Sequence, residues 1–120
     1  MKKILIVEDD LSLAELMRAR LEKENYEVRV ERDGRHVGEI AKKNHPDLIL
    51  LDAVLPGLDG RSIHQTLLSD PATKKIPVLV VSANAQLEQA FVDLENVKGF
   101  VHKPFDNAHL IAKVSEALKA

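Results

Sequence analysis

Four short runs of strand character in this 120-residue chain end in polar groups that could do chemistry together. Ile4 to Val7 is followed by Glu8-Asp9-Asp10, Leu48 to Leu51 by Asp52, Val78 to Val81 by Ser82-Ala83, and Lys98 to His102 by Lys103-Pro104. In an open α/β sheet, ligands bind beyond the carboxyl ends of the strands, so such runs would deliver carboxylates, one hydroxyl and one ammonium to a single rim. Carboxylates crowded there repel one another by up to about 4 kcal/mol per pair at 4 Å and an effective dielectric of 20. Glu8, Asp9 and Asp52 contribute about -3 against about +1 from Lys103, and a divalent cation would bring the rim close to neutral. Oxygen donors without His or Cys suit a hard ion, and a mixed shell of carboxylate, backbone carbonyl and water suits Mg2+. A rim of this kind can hold a phosphoryl group. The metal and Lys103 would neutralise its oxygens, Ser82 would donate a hydrogen bond, and Asp52 is the group placed to be the nucleophile, giving an aspartyl phosphate.

The rest of the chain is patterned to bring these runs together. Strand-like runs alternate five times with stretches of helical periodicity, the signature of βα units around a parallel sheet. The strands are read as Lys3 to Val7, Glu27 to Glu31, Asp47 to Leu51, Pro77 to Val81 and Lys98 to His102. The first, third and fourth are continuously apolar, as strands covered on both faces must be, whereas Glu27 to Glu31 alternates and reads as an edge. Leu13, Met17 and Leu21 with Leu16, then Val37, Ile40 and Ala41, then Ile63 and Leu67, and finally Leu110, Ile111, Val114 and Leu118 mark helices with one face on the sheet. Asp10 or Ser12 can cap the first helix, Ser12 with Glu15 as a capping box, and Asp106 can cap the last. Asp33-Gly34 and Pro56-Gly57 are turn signals, and Asn96 follows the fourth helix where a left-handed residue helps termination. The whole chain, 1–120, is read as one domain.

Composition agrees and excludes other classes. The chain is 45% apolar and 30% charged, with 17 Lys and Arg against 19 Asp and Glu, as expected for a compact soluble domain. A formal charge of -2 gives no broad field for nucleic acid, and 3% aromatics leaves little for base stacking. There is no Cys, so no thiolate nucleophile or disulfide. No stretch approaches the roughly 18 to 20 apolar residues that cross a bilayer, and Met1-Lys2-Lys3 lacks the hydrophobic segment of a signal peptide. A cytoplasmic protein is the expectation.

Taken in order, these motifs resemble a response-regulator receiver domain, the phosphoacceptor module of two-component signalling, over essentially the whole chain. They are Ile4-Leu5-Ile6-Val7-Glu8-Asp9, Pro46-Asp47-Leu48-Ile49-Leu50-Leu51-Asp52 running into Leu55-Pro56-Gly57-Leu58-Asp59-Gly60, Ile76-Pro77-Val78 leading to Ser82-Ala83, and Phe100-Val101-His102-Lys103-Pro104-Phe105. The resemblance implies a doubly wound five-stranded parallel sheet of order 2-1-3-4-5, flavodoxin-like, in a three-layer sandwich. It implies that Asp52 accepts phosphate from a sensor histidine kinase, a histidine phosphotransfer protein or a small acyl phosphate. It further implies Mg2+ at Glu8, Asp9, Asp52 and the Val54 carbonyl, with Ser82 and Lys103 binding phosphate. Phe100 matches the switch aromatic, and the Lys103–Pro104 bond is expected to be cis. Asp10, one residue past the acidic pair, is assigned to capping. Output would pass through the face of the fourth helix, fifth strand and fifth helix to a downstream effector protein or a detached output domain. Direct nucleic-acid or membrane contact is not expected, and the state is a monomer or a phosphorylation-dependent dimer. Such a domain catalyses only its own phosphorylation and dephosphorylation.

Each residue alone has a plainer reading. Glu8-Asp9-Asp10 is more often a solvated helix start, Lys103 a surface lysine and Phe100 a core aromatic without the hydroxyl of a Tyr. His36, His45, His64, His102 and His109 show no ligand spacing and read as solvated or locally bonded; His102 shares a strand face with Phe100. The sequence departs from the family at Phe100, at Asn96-Val97 where a small Gly-Ala pair is usual, and in a short fourth helix. Those departures keep a phosphorylation-independent interaction module as the alternative. A flavin or nucleotide carrier would need an amide-donating loop after its first strand, where this chain has Glu8-Asp9-Asp10.

Overall fold

The structure is a computed structural model that describes residues 1–53, 60–83, 85–92 and 94–119. Five strands, β1 (Lys3–Val7), β2 (Glu27–Glu31), β3 (Leu48–Asp52), β4 (Val78–Ser82) and β5 (Val97–His102), form one sheet. All pairs are parallel and the order is β2-β1-β3-β4-β5. The helices are α1 (Leu11–Lys23), α2 (Val37–Asn44), α3 (Gly60–Leu68), α4 (Ala85–Gln89) and α5 (Asn107–Lys119). The expected doubly wound class and strand order are therefore observed.

Strand alternation divides the core into two layers. Ile4, Ile6, Leu48, Leu50, Leu79 and Val81 point to one side, where Met17 and Leu21 of α1 and Leu110 and Val114 of α5 cover them. Leu5, Val7, Ile49, Leu51, Val78 and Val80 point to the other, against Val37 and Ala41 of α2, Ile63 and Leu67 of α3, and Phe91 after α4. Each fully buried large side chain contributes about 1.5–3 kcal/mol, so β1, β3 and β4 anchor the rim. β2 has no fully buried residue, as its alternation predicts for an edge.

Several local readings need correction. β3 and β4 each begin and end one residue later than expected, because the ladder runs on through Asp52, paired with Val81, and Ser82, paired with His102. The polar groups thus sit inside the last ladder positions instead of in a loop beyond them. Asp10 alone caps α1, its carboxylate accepting from Leu13 N at 3.2 Å. Ser12 lies within the helix and no Ser12–Glu15 box forms; Glu15 instead pairs with Arg18 at 3.5 Å. Leu16 is 46% exposed, so the buried stripe of α1 is Ala14, Met17 and Leu21. Asp106 caps α5 through His109 N at 2.7 Å, and Asp33 accepts from Arg35 N at 2.9 Å to open a single 3-10 turn before α2. Asn96 is left-handed, with φ 65°, but stands in the turn before β5 and not directly at the end of α4. His64 is fully buried and its Nε2 lies 2.6 Å from the Glu95 carbonyl, so it is neither solvated nor locally bonded. The Pro56-Gly57 turn lies outside the described residues. No helix among the described residues is long and apolar enough to cross a membrane.

Candidate functional site

The carboxyl ends of β1, β3, β4 and β5 converge. The ladder carries β1 one step further, Glu8 N donating to Glu31 O at 3.1 Å, so Glu8 is held at the strand end and is 1% exposed. Asp52, the last residue of β3, is 6% exposed. Among the described residues, Glu8, Asp9 and Asp52 each bring one carboxylate oxygen to within 4.8 Å of the others. Lys103 lies between two of them, its Nζ 3.0 Å from Glu8 Oε1 and 3.2 Å from Asp52 Oδ2. Its backbone N–H donates to Ser82 O at 2.7 Å, and the Lys103–Pro104 peptide is cis.

The electrostatics follow from this crowding. Burial, reinforced by the neighbouring Asp52 carboxylate, pushes the Glu8 carboxyl up to about 7 despite the pull of Lys103 and of the Asp10 N–H. Burial also opposes the charge on Lys103, but the hydrogen bond to Glu8 and the charges of Asp52 and Glu8 outweigh it and hold the ammonium above its ordinary value. Among the described residues, the Lys103 ammonium meets the carboxylates of Glu8 and Asp52, and Asp9 brings a third carboxylate beside them. An all-oxygen donor set with excess negative charge fits a hard divalent ion, with Glu8, Asp9 and Asp52 as the groups able to hold it. The Val54 carbonyl, expected as a fourth donor, lies outside the described residues.

Ser82 is buried on the other strand face, in phase with Val78 and Val80, and its hydroxyl donates to Glu88 Oε2 at 3.2 Å. Phe100, opposite Val80 in the register, is half-buried against the α2–α3 layer. Beside the acidic cluster opens a hollow of about 500 Å³, walled by Leu13, Leu16, Ala83, Lys103, Pro104 and Phe105.

Three participants stand outside the sequence expectations. Arg32 is the residue next after β2, and its guanidinium donates to the Asp9 carbonyl at 3.2 and 3.3 Å. Gly60 opens α3 directly against β3: a β-carbon there would lie 2.8 Å from the Asp52 carbonyl oxygen and 3.1 Å from that of Ala53. Glu88 stands on a helix too short to show a periodic pattern. Adjacency of β2 to β1 in the sheet is the signal that points to Arg32; Gly60 closes the motif that follows Asp52 without a role of its own there, and for Glu88 the sequence carries no signal.

The chain matches the response regulator receiver domain family over residues 4–115 and belongs to that family. It is 34% identical over 120 residues to the DNA-binding dual master transcriptional regulator RpaA of Synechocystis sp., which covers 99% of this chain and 50% of that protein. It is 36% identical over 120 residues to the response regulator ArlR of Staphylococcus saprophyticus, covering 99% of this chain and 53% of that protein. The chain thus spans about half the length of these curated relatives. Among solved structures, the receiver domain of sensor histidine kinase PA1611 from Pseudomonas aeruginosa, with a magnesium ion coordinated in its active-site cleft, superposes with a TM-score of 0.89 at 27% identity, covering 99% of this chain and 98% of that one. A response regulator from Desulfuromonas acetoxidans gives a TM-score of 0.87 at 27% identity, covering 99% and 98%. The family is thus the receiver domain of two-component response regulators.

Proposed function

We propose that residues 1–120 act as one receiver domain in which Asp52 accepts a phosphoryl group from a phosphohistidine of a sensor kinase or phosphotransfer protein, or from a small acyl phosphate. The observation that carries this reading is the cluster itself: three carboxylate oxygens within 4.8 Å of one another, with Lys103 bridging Glu8 and Asp52. An Asp52 oxygen attacks phosphorus, the new O–P bond forms as the donor's N–P or O–P bond breaks, and the donor leaves with the bonding pair. Lys103 pairs with the transferred oxygens and Ser82 donates to one of them. Glu8, Asp9 and Asp52 would hold Mg2+, with the Val54 carbonyl as a further ligand. Bound there, Mg2+ would supply charge neutralisation for the transferring group.

The apolar hollow beside the cluster, with Leu16 and Phe105 on its wall, offers a protein donor a seat next to Asp52. Output is assigned to the α4–β5–α5 face. Withdrawal of the Ser82 hydroxyl toward a phosphoryl oxygen vacates space into which Phe100 can turn, a population shift toward a state the free protein already visits. A partner effector, or an output domain such as those that double the length of the curated relatives, would read that face. Direct nucleic-acid contact is not assigned to residues 1–120 themselves, and the proposed setting is the cytoplasm.

The test is intact mass after incubation with Mg2+ and a small acyl phosphate. The wild-type chain should gain the mass of one phosphoryl group, and Asp52→Asn, or removal of Mg2+ by a chelator, should abolish the gain. A wild-type chain that gains nothing, and so cannot be told from Asp52→Asn, would favour a phosphorylation-independent interaction module.

A further inference from the structure

The proposed chemistry employs Ser82 but leaves Glu88 and His102 without a part, although both are joined to it. A register shift in the β4–β5 ladder at Val78/Leu79 sets Ser82 directly beside His102, and paired residues of a parallel ladder point to the same face. On that face Glu88 of α4 reaches down with one carboxylate oxygen. Its Oε2 accepts the Ser82 hydroxyl at 3.2 Å and lies 2.7 Å from His102 Nδ1. The three side chains form a graded path outward: Ser82 is 1% exposed, the Glu88 side chain 12% and the His102 side chain 61%. A hydroxyl at the rim is thereby tied through a single oxygen to an imidazole on the outer edge of the sheet.

A serine hydroxyl has one hydrogen to give. Donated to Glu88, it is not donated to a phosphoryl oxygen, and a phosphoryl group on Asp52 brings three strong acceptors to the same rim. The two acceptors therefore compete. When the phosphoryl group takes the hydrogen, Glu88 Oε2 loses this donor and retains its contact with His102. α4 has five residues, too few to be stable by its own backbone hydrogen bonds. Its seat on the sheet depends on side chains such as Glu88, so a change at that carboxylate is felt by the helix.

We infer that Glu88 is a positioning residue that competes with the phosphoryl group for the Ser82 hydroxyl and transmits occupancy of Asp52 to His102 on the exposed edge of β5. This rests on the reading of Asp52 as acceptor. It adds a polar route, specific to this chain's Glu88 and His102, beside the movement of Phe100.

The experiment tracks the His102 ring resonance of the full chain by NMR, with Mg2+, before and after addition of a small acyl phosphate, while intact mass records uptake. His45, the residue that ends α2 away from the α4–β5–α5 face, serves as the reference ring. In the wild type the His102 resonance moves on phosphorylation and that of His45 does not; in Glu88→Ala the His102 response is at least halved, movement of Phe100 on the same strand supplying what is left. Initial uptake by Glu88→Ala rises roughly three- to tenfold, as for loss of one competing hydrogen bond of ordinary net strength, and Glu88→Gln falls between the two. Wild-type uptake without movement of the His102 resonance, or Glu88→Ala uptake at the wild-type rate, overturns the inference and leaves the acceptor reading standing. The wild-type spectrum needs no substitution, so a poorly folded variant does not rescue the idea. No uptake by the wild type overturns the acceptor reading itself, and this inference with it.

Discussion

On the β1–β3 side of the rim, every residue of β3 from Leu48 to Asp52 is buried, and α1 runs thirteen residues from its Asp10 cap. Across the rim, α4 spans five residues, and of the six in β5 only Val101 is fully buried. The same sheet thus carries a stiff half, which fixes Glu8 and Asp52, and a lightly packed half, which supplies Phe100, His102 and the Glu88 contact to Ser82. Few buried apolar contacts mean low local stability, which is where a conformational response is drawn from. On the proposed reading, the acceptor belongs to the more tightly packed half and the response to the more lightly packed one.

The largest effect that sharpens this contrast comes from the same truncation in the two halves. Val7→Ala, at a fully buried position of β1, should lower unfolding free energy by about 2.5 kcal/mol, whereas Val97→Ala, half-buried at the start of β5, should cost only about 1 kcal/mol. Urea titration of both variants measures this; equal losses would erase the distinction between the halves. Next is Gly60→Ala. A methyl 2.8 Å from the Asp52 carbonyl oxygen forces α3 or β3 to shift, at a cost of roughly 1–3 kcal/mol. It should also slow phosphoryl uptake, because the acceptor's own backbone moves.

The last contrast is one of pH. Glu8 ionises near its ordinary 4.5 in the unfolded chain and about 7 in the folded one. Between those values the folded state holds a proton that the unfolded state has released, so stability falls as pH rises through about 4.5 to 7 and is level above it. Lys103 is displaced upward from 10.5, so its contribution is intact throughout that window and is lost only in more alkaline solution. Urea midpoints at several pH values should show the decline in metal-free protein, little of it in Glu8→Gln, and little of it in the wild type with Mg2+. A metal-free wild type whose midpoint rises through this window would contradict the proposed crowding.

Much of the stiff half was legible in the sequence because its signals are local and additive. The continuous apolar runs Ile4 to Val7 and Leu48 to Leu51 announce strands covered on both faces, and the carboxylates that succeed them are placed by the strand ends. The softer half resisted for the same reason in reverse. Glu88 is six residues from Ser82 and fourteen from His102 in a segment with no periodicity, and only the β4–β5 register shift makes the three neighbours. Capping failed at Ser12 because two capping residues compete for one helix start, and Asp10, not Ser12, occupies the turn that receives Leu13 N. Leu16 fits the helical pattern but faces the hollow beside the site. His64 has the residue type of a surface position, and tertiary packing of α3 against the Glu95 carbonyl buries it.

The most direct test of a rigid acceptor coupled to a responsive edge is amide hydrogen exchange of the full chain with Mg2+, before and after phosphorylation by a small acyl phosphate. The account predicts altered protection in α4, in β5 and at Ser82, with β1, β3 and the rest of the buried β4 unchanged except at Asp52 and its immediate neighbours. Altered protection spread evenly over both halves, or confined to the Asp52 rim with α4 and β5 untouched, would contradict it.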